Sequence, residues 1–153
     1  MRKLKHYTES IYYEFELTAK VMRMMAGQFF AKIGMGIIPD EYVTLDVIAC
    51  NNGICQRDLA KLILKDRANT GRLVSTLEEK GFITRSADTK NNRLVRKLSV
   101  TENGTKELKK VTDIVRKQLE NTSQIISESE IDILRNNIQK FRASLEKLIE
   151  LKI

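Results

Sequence analysis

The chain has 153 residues and a net charge of +7, from 27 Lys and Arg against 20 Asp and Glu. No apolar run approaches the roughly 20 residues of a membrane span, and the N-terminus lacks the apolar core of a signal peptide, so we expect a cytoplasmic protein without membrane contact. One histidine and two cysteines are too few for a metal site without several carboxylates. No phosphate-binding loop or nucleophile elbow occurs either, and we predict no metal, no cofactor and no enzymatic activity.

In the N-terminal third, the spacing of apolar residues predicts one long helix and one shorter helix. Apolar residues recur at spacings of four and three throughout residues 5–33, which is the helical period. Gly34-Met35-Gly36 interrupts this pattern. Pro39 suits the first turn of a second helix, which we expect to continue to about Asn51.

Residues 54–104 carry the most informative pattern. Asp66 precedes apolar residues at helical spacing, and Gly81 follows them. A carboxylate at the start and a glycine after the end are typical helix caps, so we predict a helix over residues 66–80. A shorter amphipathic helix begins near Cys55 or Gln56, and the few residues between the two helices indicate a helix-turn-helix.

After this helix the period changes from helical to extended. Residues 82–85 and 94–100 are rich in aliphatic, aromatic and β-branched side chains, and residues 86–92 between them are turn formers. We therefore predict a β-hairpin over residues 82–100, with a turn formed by residues 86–92.

The excess charge is concentrated in the same segment. Residues 54–104 contain 11 Lys and Arg against 6 Asp and Glu, a net charge of +5 of the chain's +7. Residues 1–53 contain 6 of each sign, and residues 105–153 contain 10 against 8. A basic patch that coincides with a helix-turn-helix is typical of a protein that binds nucleic acid.

Short motifs support a more specific comparison. They are Asp58-Leu59-Ala60, Asp66–Gly81 with Leu77-Glu78-Glu79-Lys80-Gly81 at its end, Arg85 with Asp88, and Thr101-Glu102-Asn103-Gly104. Together with a long N-terminal helix and two C-terminal helices, they resemble the MarR family of bacterial transcriptional regulators.

This resemblance implies a mainly α fold with a small β-hairpin wing (α+β), a winged helix-turn-helix flanked by long dimerisation helices. We expect residues 1–153 to form a single MarR-like domain. Within it, residues 37–104 would form the DNA-binding lobe, and residues 1–33 and 105–153 the helical dimerisation region.

In such a protein, helix 66–80 would enter the major groove and wing 82–100 the minor groove of double-stranded DNA. Because Leu73, Val74 and Leu77 should pack inward, the other residues of the helix face solvent or DNA. Arginine can pair with guanine and asparagine with adenine. The predicted DNA contacts are Arg67, Ala68, Asn69, Thr70, Arg72 and Ser75 in the helix, and Arg85, Lys90 and Arg93 in the wing.

Two of these predictions are open. Thr70 occupies a position that is often apolar in the family, so a packing role is as well supported as a DNA contact. In the wing, the family usually carries an Asp-x-Arg pattern whose arginine enters the minor groove. The corresponding residues here are Asn91-Asn92-Arg93, which makes Arg93 the candidate for that contact without the usual carboxylate.

Apolar stripes at both ends of the chain predict a homodimer. Helices of 20 to 30 residues are roughly 30–45 Å long, too long to be covered by a domain of this size. A second copy is the simplest partner, and a monomeric bundle is the alternative. Two recognition helices about 34 Å apart would read a palindromic operator. The stripes consist of Ile11, Phe15, Thr18, Met22, Met25 and Phe29, and of Ile131, Leu134, Ile138, Phe141, Leu145 and Leu148.

The resemblance also implies a small aromatic or phenolic effector that releases a repressor from its operator. Phe29, Phe30 and Tyr42 are candidates for the ligand pocket, and ordinary core packing is the alternative. Two other functions stay open. One is a redox-sensing regulator that uses Cys50 and Cys55, of which Cys55 lies near a helix start that can activate a thiol. The other is a winged-helix protein-interaction module without a DNA target, which the charge of +5 disfavours.

Overall fold

A computed structural model of the chain describes residues 5–90, 93–122 and 126–149. The chain divides into two compact units, Met1–Tyr42 and Val43–Ile153. The observed elements are mainly helical with one small antiparallel sheet, and they confirm the predicted fold class.

The first unit contains a short 3-10 turn, Tyr7–Glu9, and the long helix α1, Ile11–Ile33. The Ser10 hydroxyl caps α1 by accepting a hydrogen bond from the backbone N–H of Tyr13 at 3.2 Å. The helix thus begins six residues later than predicted, because Ser10 has an extended backbone that a helix cannot continue through. At the other end, Gly34 adopts the left-handed conformation, with φ of 62°.

Helix α2, Pro39–Cys50, crosses the boundary between the units and ends within one residue of its predicted end. Glu41 caps the first turn of α2. Its buried carboxylate accepts a hydrogen bond from the backbone N–H of Ile38 at 3.0 Å. A carboxylate in the first turn also complements the positive end of the helix dipole.

The described residues of the second unit combine most of α2 and four further helices with a three-stranded sheet. The sheet is antiparallel with the order β1-β3-β2. After α2, the elements of this unit are β1 (Ile54–Cys55), α3 (Gln56–Leu62), α4 (Arg67–Glu79), β2 (Ile83–Lys90), β3 (Arg93–Val100), α5 (Glu102–Thr122) and α6 (Glu128–Glu146). The buried apolar core of this unit consists of Leu45, Ile48, Leu59, Ala60, Val74, Leu77, Ile83, Leu98 and Val111.

The predicted turn over residues 86–92 is wrong for its first five residues. Strand β2 extends to Lys90, and its register pairs Ser86 with Lys97 and Lys90 with Arg93. Residues 91 and 92 lie outside the described part of the chain. The polar residues of this segment have the composition of a turn, since strand patterns are recognised by alternating apolar side chains. An exposed ribbon of two strands needs only backbone hydrogen bonds, so its side chains can be polar on both faces.

Strand β1 was not predicted. It has two residues, and Ile54 pairs with Leu98 while Cys55 pairs with Lys97. A segment this short has no detectable period, so only its pairing partner identifies it as a strand.

The junction between the hairpin and α5 depends on a close backbone approach. The Thr101 hydroxyl accepts a hydrogen bond from the Gly104 N–H at 2.9 Å and donates one to the Gly81 carbonyl at 2.7 Å. A Cβ atom added at Gly104 would lie 2.1 Å from the backbone oxygen of Phe82. Only glycine fits here, which gives the Thr101–Gly104 motif its physical meaning.

The last helix, α6, has a capping box. The Ser127 hydroxyl accepts from the Glu130 backbone N–H, and the Glu130 carboxylate accepts from the Ser127 backbone N–H at 2.9 Å. The Ser127 hydroxyl also donates to the Glu130 carboxylate at 2.6 Å, and this hydrogen bond, together with the one from the Ser127 backbone N–H, lowers the pKa of Glu130. None of the described helices is both long enough and apolar enough to cross a membrane.

Candidate nucleic-acid interface

Helix α4 is held at both ends by the predicted caps. The Asp66 carboxylate accepts from the backbone N–H of Asn69 at 2.8 Å. The hydrogen bonds from the Asn69 backbone and side chain lower the pKa of Asp66. After the helix, Gly81 has a φ of 72°, and its N–H donates to the Glu78 carbonyl at 2.8 Å. The start and the end of α4 are therefore fixed by local chemistry.

The inner face of α4 contains Thr70 as well as the predicted apolar residues. Thr70, Val74 and Leu77 have no exposed surface, and Leu73 is half-buried. The Thr70 hydroxyl donates to the Asp66 carbonyl at 2.8 Å. The predicted DNA contact by Thr70 is thus wrong, because its only polar atom is satisfied within the first turn of the helix.

The outer face of α4 presents two arginines to solvent. Arg67, Ala68, Asn69 and Arg72 are exposed, and Ser75 is half-buried. A chain of hydrogen bonds connects three of the polar residues at intervals of three. Arg72 Nη2 donates to Asn69 Oδ1 at 2.8 Å, and Asn69 Nδ2 donates to the Asp66 carboxylate. Through Asn69, the Arg72 guanidinium is therefore held beside the first turn of α4.

An open groove of about 530 Å³ lies along this face. Gln56, the first residue of α3, lines this groove, although no sequence pattern singles out this glutamine. An added Cβ at Gly71 would lie 3.2 Å from Gln56 Nε2, so the glycine leaves room for the amide beside the helix. The groove is lined by Gln56, Ala68, Gly71, Arg72, Ser75, Thr76, Glu79 and Arg85.

A second concavity, of about 390 Å³, is lined by Gln56, Arg57 and Arg67. Both arginines are exposed, and among the described residues neither has an ion-pair partner. Two free guanidinium groups beside a groove suit an anion such as a DNA phosphate. The sequence did not predict Arg57 as a contact. Its exposure depends on the orientation of α3, and a helix of seven residues is too short for its apolar pattern to fix that orientation.

Arg85 is turned toward α4 instead of toward solvent. Its Nη2 donates to Ser75 Oγ at 2.9 Å, and its Nε lies 3.2 Å from the Glu78 carboxylate. That second contact is an ion pair without a hydrogen bond, because the N–H direction misses the carboxylate and leaves the buried Nε unsatisfied. The arginine side chain is only 19% exposed. In this structure Arg85 fastens the wing to α4 and also lines the groove, and its DNA contact stays a prediction.

The described part of the wing also contains an ion pair between its own two strands. Lys97 Nζ lies 2.5 Å from the Asp88 carboxylate, across the two strands. Lys90 and Arg93 lie opposite each other in the hairpin register, but their side chains lie outside the described part of the structure. Their DNA contacts stay predictions.

The three aromatic candidates for a ligand pocket contact one another in the first unit. The Phe30 ring lies 6.0 Å from Phe29 and 5.8 Å from Tyr42, measured between centroids. Phe30 is buried, with 7% exposure. These contacts are as expected for core packing, and the ligand pocket stays a prediction.

The cysteines are both free thiols in different surroundings. Cys50 is exposed at the end of α2, and Cys55 is half-buried before α3. The Cys55 thiol donates to the Asp58 carboxylate at 3.1 Å, a hydrogen bond that a thiolate would lose. Among the described residues, no group of three or more His, Cys, Asp or Glu side chains is placed to hold a metal ion.

Two helices joined by a short turn, followed by a hairpin that packs beside the second helix, define a winged helix-turn-helix. Comparisons with known proteins agree with this class. Residues 37–95 match the sequence model of the MarR family. The uncharacterized HTH-type transcriptional regulator YybA of Bacillus subtilis is 35% identical over 85 residues, which are 56% of this chain and 53% of YybA. The chain spans about half the length of the relatives it matches in sequence.

Solved structures match over most of the chain. The transcriptional regulator SlyA has 25% identity and a TM-score of 0.75, with 90% of this chain and 95% of SlyA covered. A complex of Staphylococcus aureus MepR with DNA has 23% identity and a TM-score of 0.73, covering 92% and 99%, and at that identity it shows the fold alone. The chain is thus similar to the MarR family over residues 37–95, and it shares the fold of solved transcriptional regulators over most of its length.

Proposed function

We propose that the protein regulates transcription as a homodimer that binds double-stranded DNA, with α4 in the major groove and the hairpin in the minor groove. The observation that carries this proposal is the exposed outer face of α4. It combines Arg67 and Arg72 with an adjoining open groove, and its apolar residues are turned to the opposite side. A helix of this kind is suited to base edges and phosphates.

The distribution of charge and the similarity to a solved structure support the same proposal. The segment 54–104 holds +5 of the chain's net charge of +7, and the concavity lined by Arg57 and Arg67 adds two exposed cations beside Gln56, which also lines the groove. MepR, which shares the fold, has been solved in complex with DNA.

Exposed apolar side chains support the homodimer. On α1, Ile11 is 55% exposed and Met22 is 59% exposed; on α6, Leu134 is 48% exposed. Burial of such side chains stabilises an assembly in proportion to the apolar area removed from water. A second copy would present the same stripes, as the symmetry of a dimer requires.

The regulatory part of the proposal is a repressor released by a small aromatic or phenolic effector near Phe29, Phe30 and Tyr42. Effector binding would favour a spacing of the recognition helices that no longer fits successive major grooves. The contacts among the three rings place aromatic surface together, which is the chemistry such a ligand would use.

The proposal is tested by selecting duplexes from a random-sequence DNA pool and measuring their affinity at several salt concentrations. We expect a palindromic consensus, two chains per duplex in sedimentation, and an affinity that falls steeply with salt. Binding without sequence preference, or a salt-independent complex with another protein, would contradict DNA recognition. A monomer on a single half-site would contradict the dimer alone.

A further inference from the structure

We infer that Asn69 is a positioning residue that holds Arg72 for recognition of a guanine, and that Asn69 does not itself read an adenine. This inference rests on the proposed function and names the base that α4 would select. It changes the sequence-based interpretation, in which Asn69 and Arg72 were independent DNA contacts.

The chemistry of the three side chains fixes the orientation of the Asn69 amide. A carboxylate can only accept hydrogen bonds, and a guanidinium can only donate them. Asn69 therefore has to turn its Nδ2 toward Asp66 and its Oδ1 toward Arg72, as observed. Rotation of the amide by 180° would break both hydrogen bonds, so the network permits one orientation.

Asp66 anchors this chain to the helix backbone. Its carboxylate also accepts from the Asn69 backbone N–H at 2.8 Å, so the carboxylate cannot turn away without loss of the helix cap. An amide engaged at both ends by the protein is poorly placed to pair bidentately with adenine, because that pairing uses the same oxygen and nitrogen.

Arg72 keeps the donors that guanine requires. A guanidinium has five N–H donors, and Asn69 accepts one of them. Bidentate pairing with guanine O6 and N7 uses two. A free arginine loses side-chain rotamer freedom when it binds, and a group already held in place loses less. Asn69 thus increases the guanine preference of Arg72 without contact to the base.

The test is a double-mutant cycle with Asn69→Ala, Arg72→Ala and the double variant. The full-length wild type is first used to select a consensus from a random-sequence duplex pool. Each protein is then titrated with labelled duplexes in which every position of one half-site carries each of the four bases in turn. The readout is the preference, a ratio of affinities, which does not depend on the fraction of folded protein.

We expect Arg72→Ala to abolish a guanine preference of about 5- to 150-fold at one position of the half-site. Asn69→Ala should weaken the preference at that same position at least about threefold, as coupled neighbours do. The double variant should be no worse than Arg72→Ala. Arg135→Ala is the matched control, because this exposed arginine of α6 also pairs with a residue three positions earlier, Asp132 at 3.2 Å, and lies outside the lobe.

Other outcomes overturn the inference. Additive effects of the two substitutions, loss of an adenine preference at another position in Asn69→Ala, or an unchanged guanine preference in that variant would show that Asn69 does not act through Arg72. If the wild type selects no consensus at all, the proposed function fails as well. If it selects one and the cycle is additive, only the role of Asn69 is wrong.

Discussion

Helix α4 contains two arginines and two glutamates, whereas strands β2 and β3 contain five basic residues and one aspartate, and the two regions use these charges differently. On α4, Arg67 and Arg72 are exposed, and no carboxylate forms an ion pair with either of them among the described residues. On the described part of the hairpin, Arg85 contacts Glu78 and Lys97 contacts Asp88, while Arg96 is exposed. A count of basic residues therefore overestimates the charge that the wing offers to DNA, and the helix is the stronger candidate for recognition.

The largest effect that we expect from this comparison is a change in DNA affinity. Arg72→Ala should weaken binding to a selected duplex by about 1–3 kcal/mol, because it removes a bidentate base contact. Lys97→Ala should change the affinity much less, since its charge is already neutralised by Asp88 at 2.5 Å. Titrations with labelled duplex measure both. Equal losses would show that the wing releases its cations to DNA.

The junction between the two regions gives the next effect, on stability. Gly104→Ala should destabilise the fold by about 1–3 kcal/mol, as overpacking does, because its Cβ would lie 2.1 Å from the Phe82 carbonyl oxygen. Gly27→Ala is the matched control. No atom lies within 4 Å of its added Cβ, so that change should stabilise helix α1 by roughly 0.5–1 kcal/mol. Urea denaturation measures the free energy of unfolding of both variants. Equal changes in the two variants would contradict the close approach at Phe82.

A smaller effect is expected in the turn that precedes α4. Leu64 has a φ of 51° and is 57% exposed, so it combines an unfavourable backbone with little burial. Leu64→Gly should therefore stabilise the protein or leave its stability unchanged, because the left-handed conformation costs a non-glycine residue roughly 1 kcal/mol. A clear loss in thermal unfolding would mean that the leucine side chain contributes more than its exposure indicates.

The smallest effect is the pH dependence of the α4 cap. Hydrogen bonds from Asn69 lower the pKa of Asp66. Its contribution to stability is then complete above the ordinary aspartate value of about 3.9 and is lost as the pH falls through the lower folded-state pKa. Asp66→Asn keeps an acceptor that does not titrate. The difference in melting temperature between wild type and variant should shrink as the pH falls from 7 to 3; a constant difference would contradict the titrating cap.

Much of α4 could be predicted because its signals are local. Asp66 and Gly81 mark its ends, and the spacing of Val74 and Leu77 identifies its buried side. Thr70 was the exception. A threonine is polar in any sequence count, and it is buried here because its hydroxyl bonds back to the Asp66 carbonyl, a satisfaction that composition cannot reveal.

The hairpin was less predictable because its structure depends on residues distant in the sequence. Ser86–Lys90 form a strand only because β3 lies opposite them, and β1 exists only through its pairing with Leu98 and Lys97. The charge of Arg85 predicts a DNA contact, whereas its partners in the structure, Ser75 and Glu78, lie on another element.

The sequence by itself thus determined the class of protein: the two helices, their caps, the hairpin and the basic segment all follow from short-range patterns. Only the tertiary structure decided which of the charged side chains are available. Arg85 and Lys97 meet their carboxylates through packing and strand pairing, while Arg57 and Arg67 are brought to one concavity by the crossing of α3 and α4. Ion pairing depends on distances of a few ångströms between elements, and those distances are set by the fold.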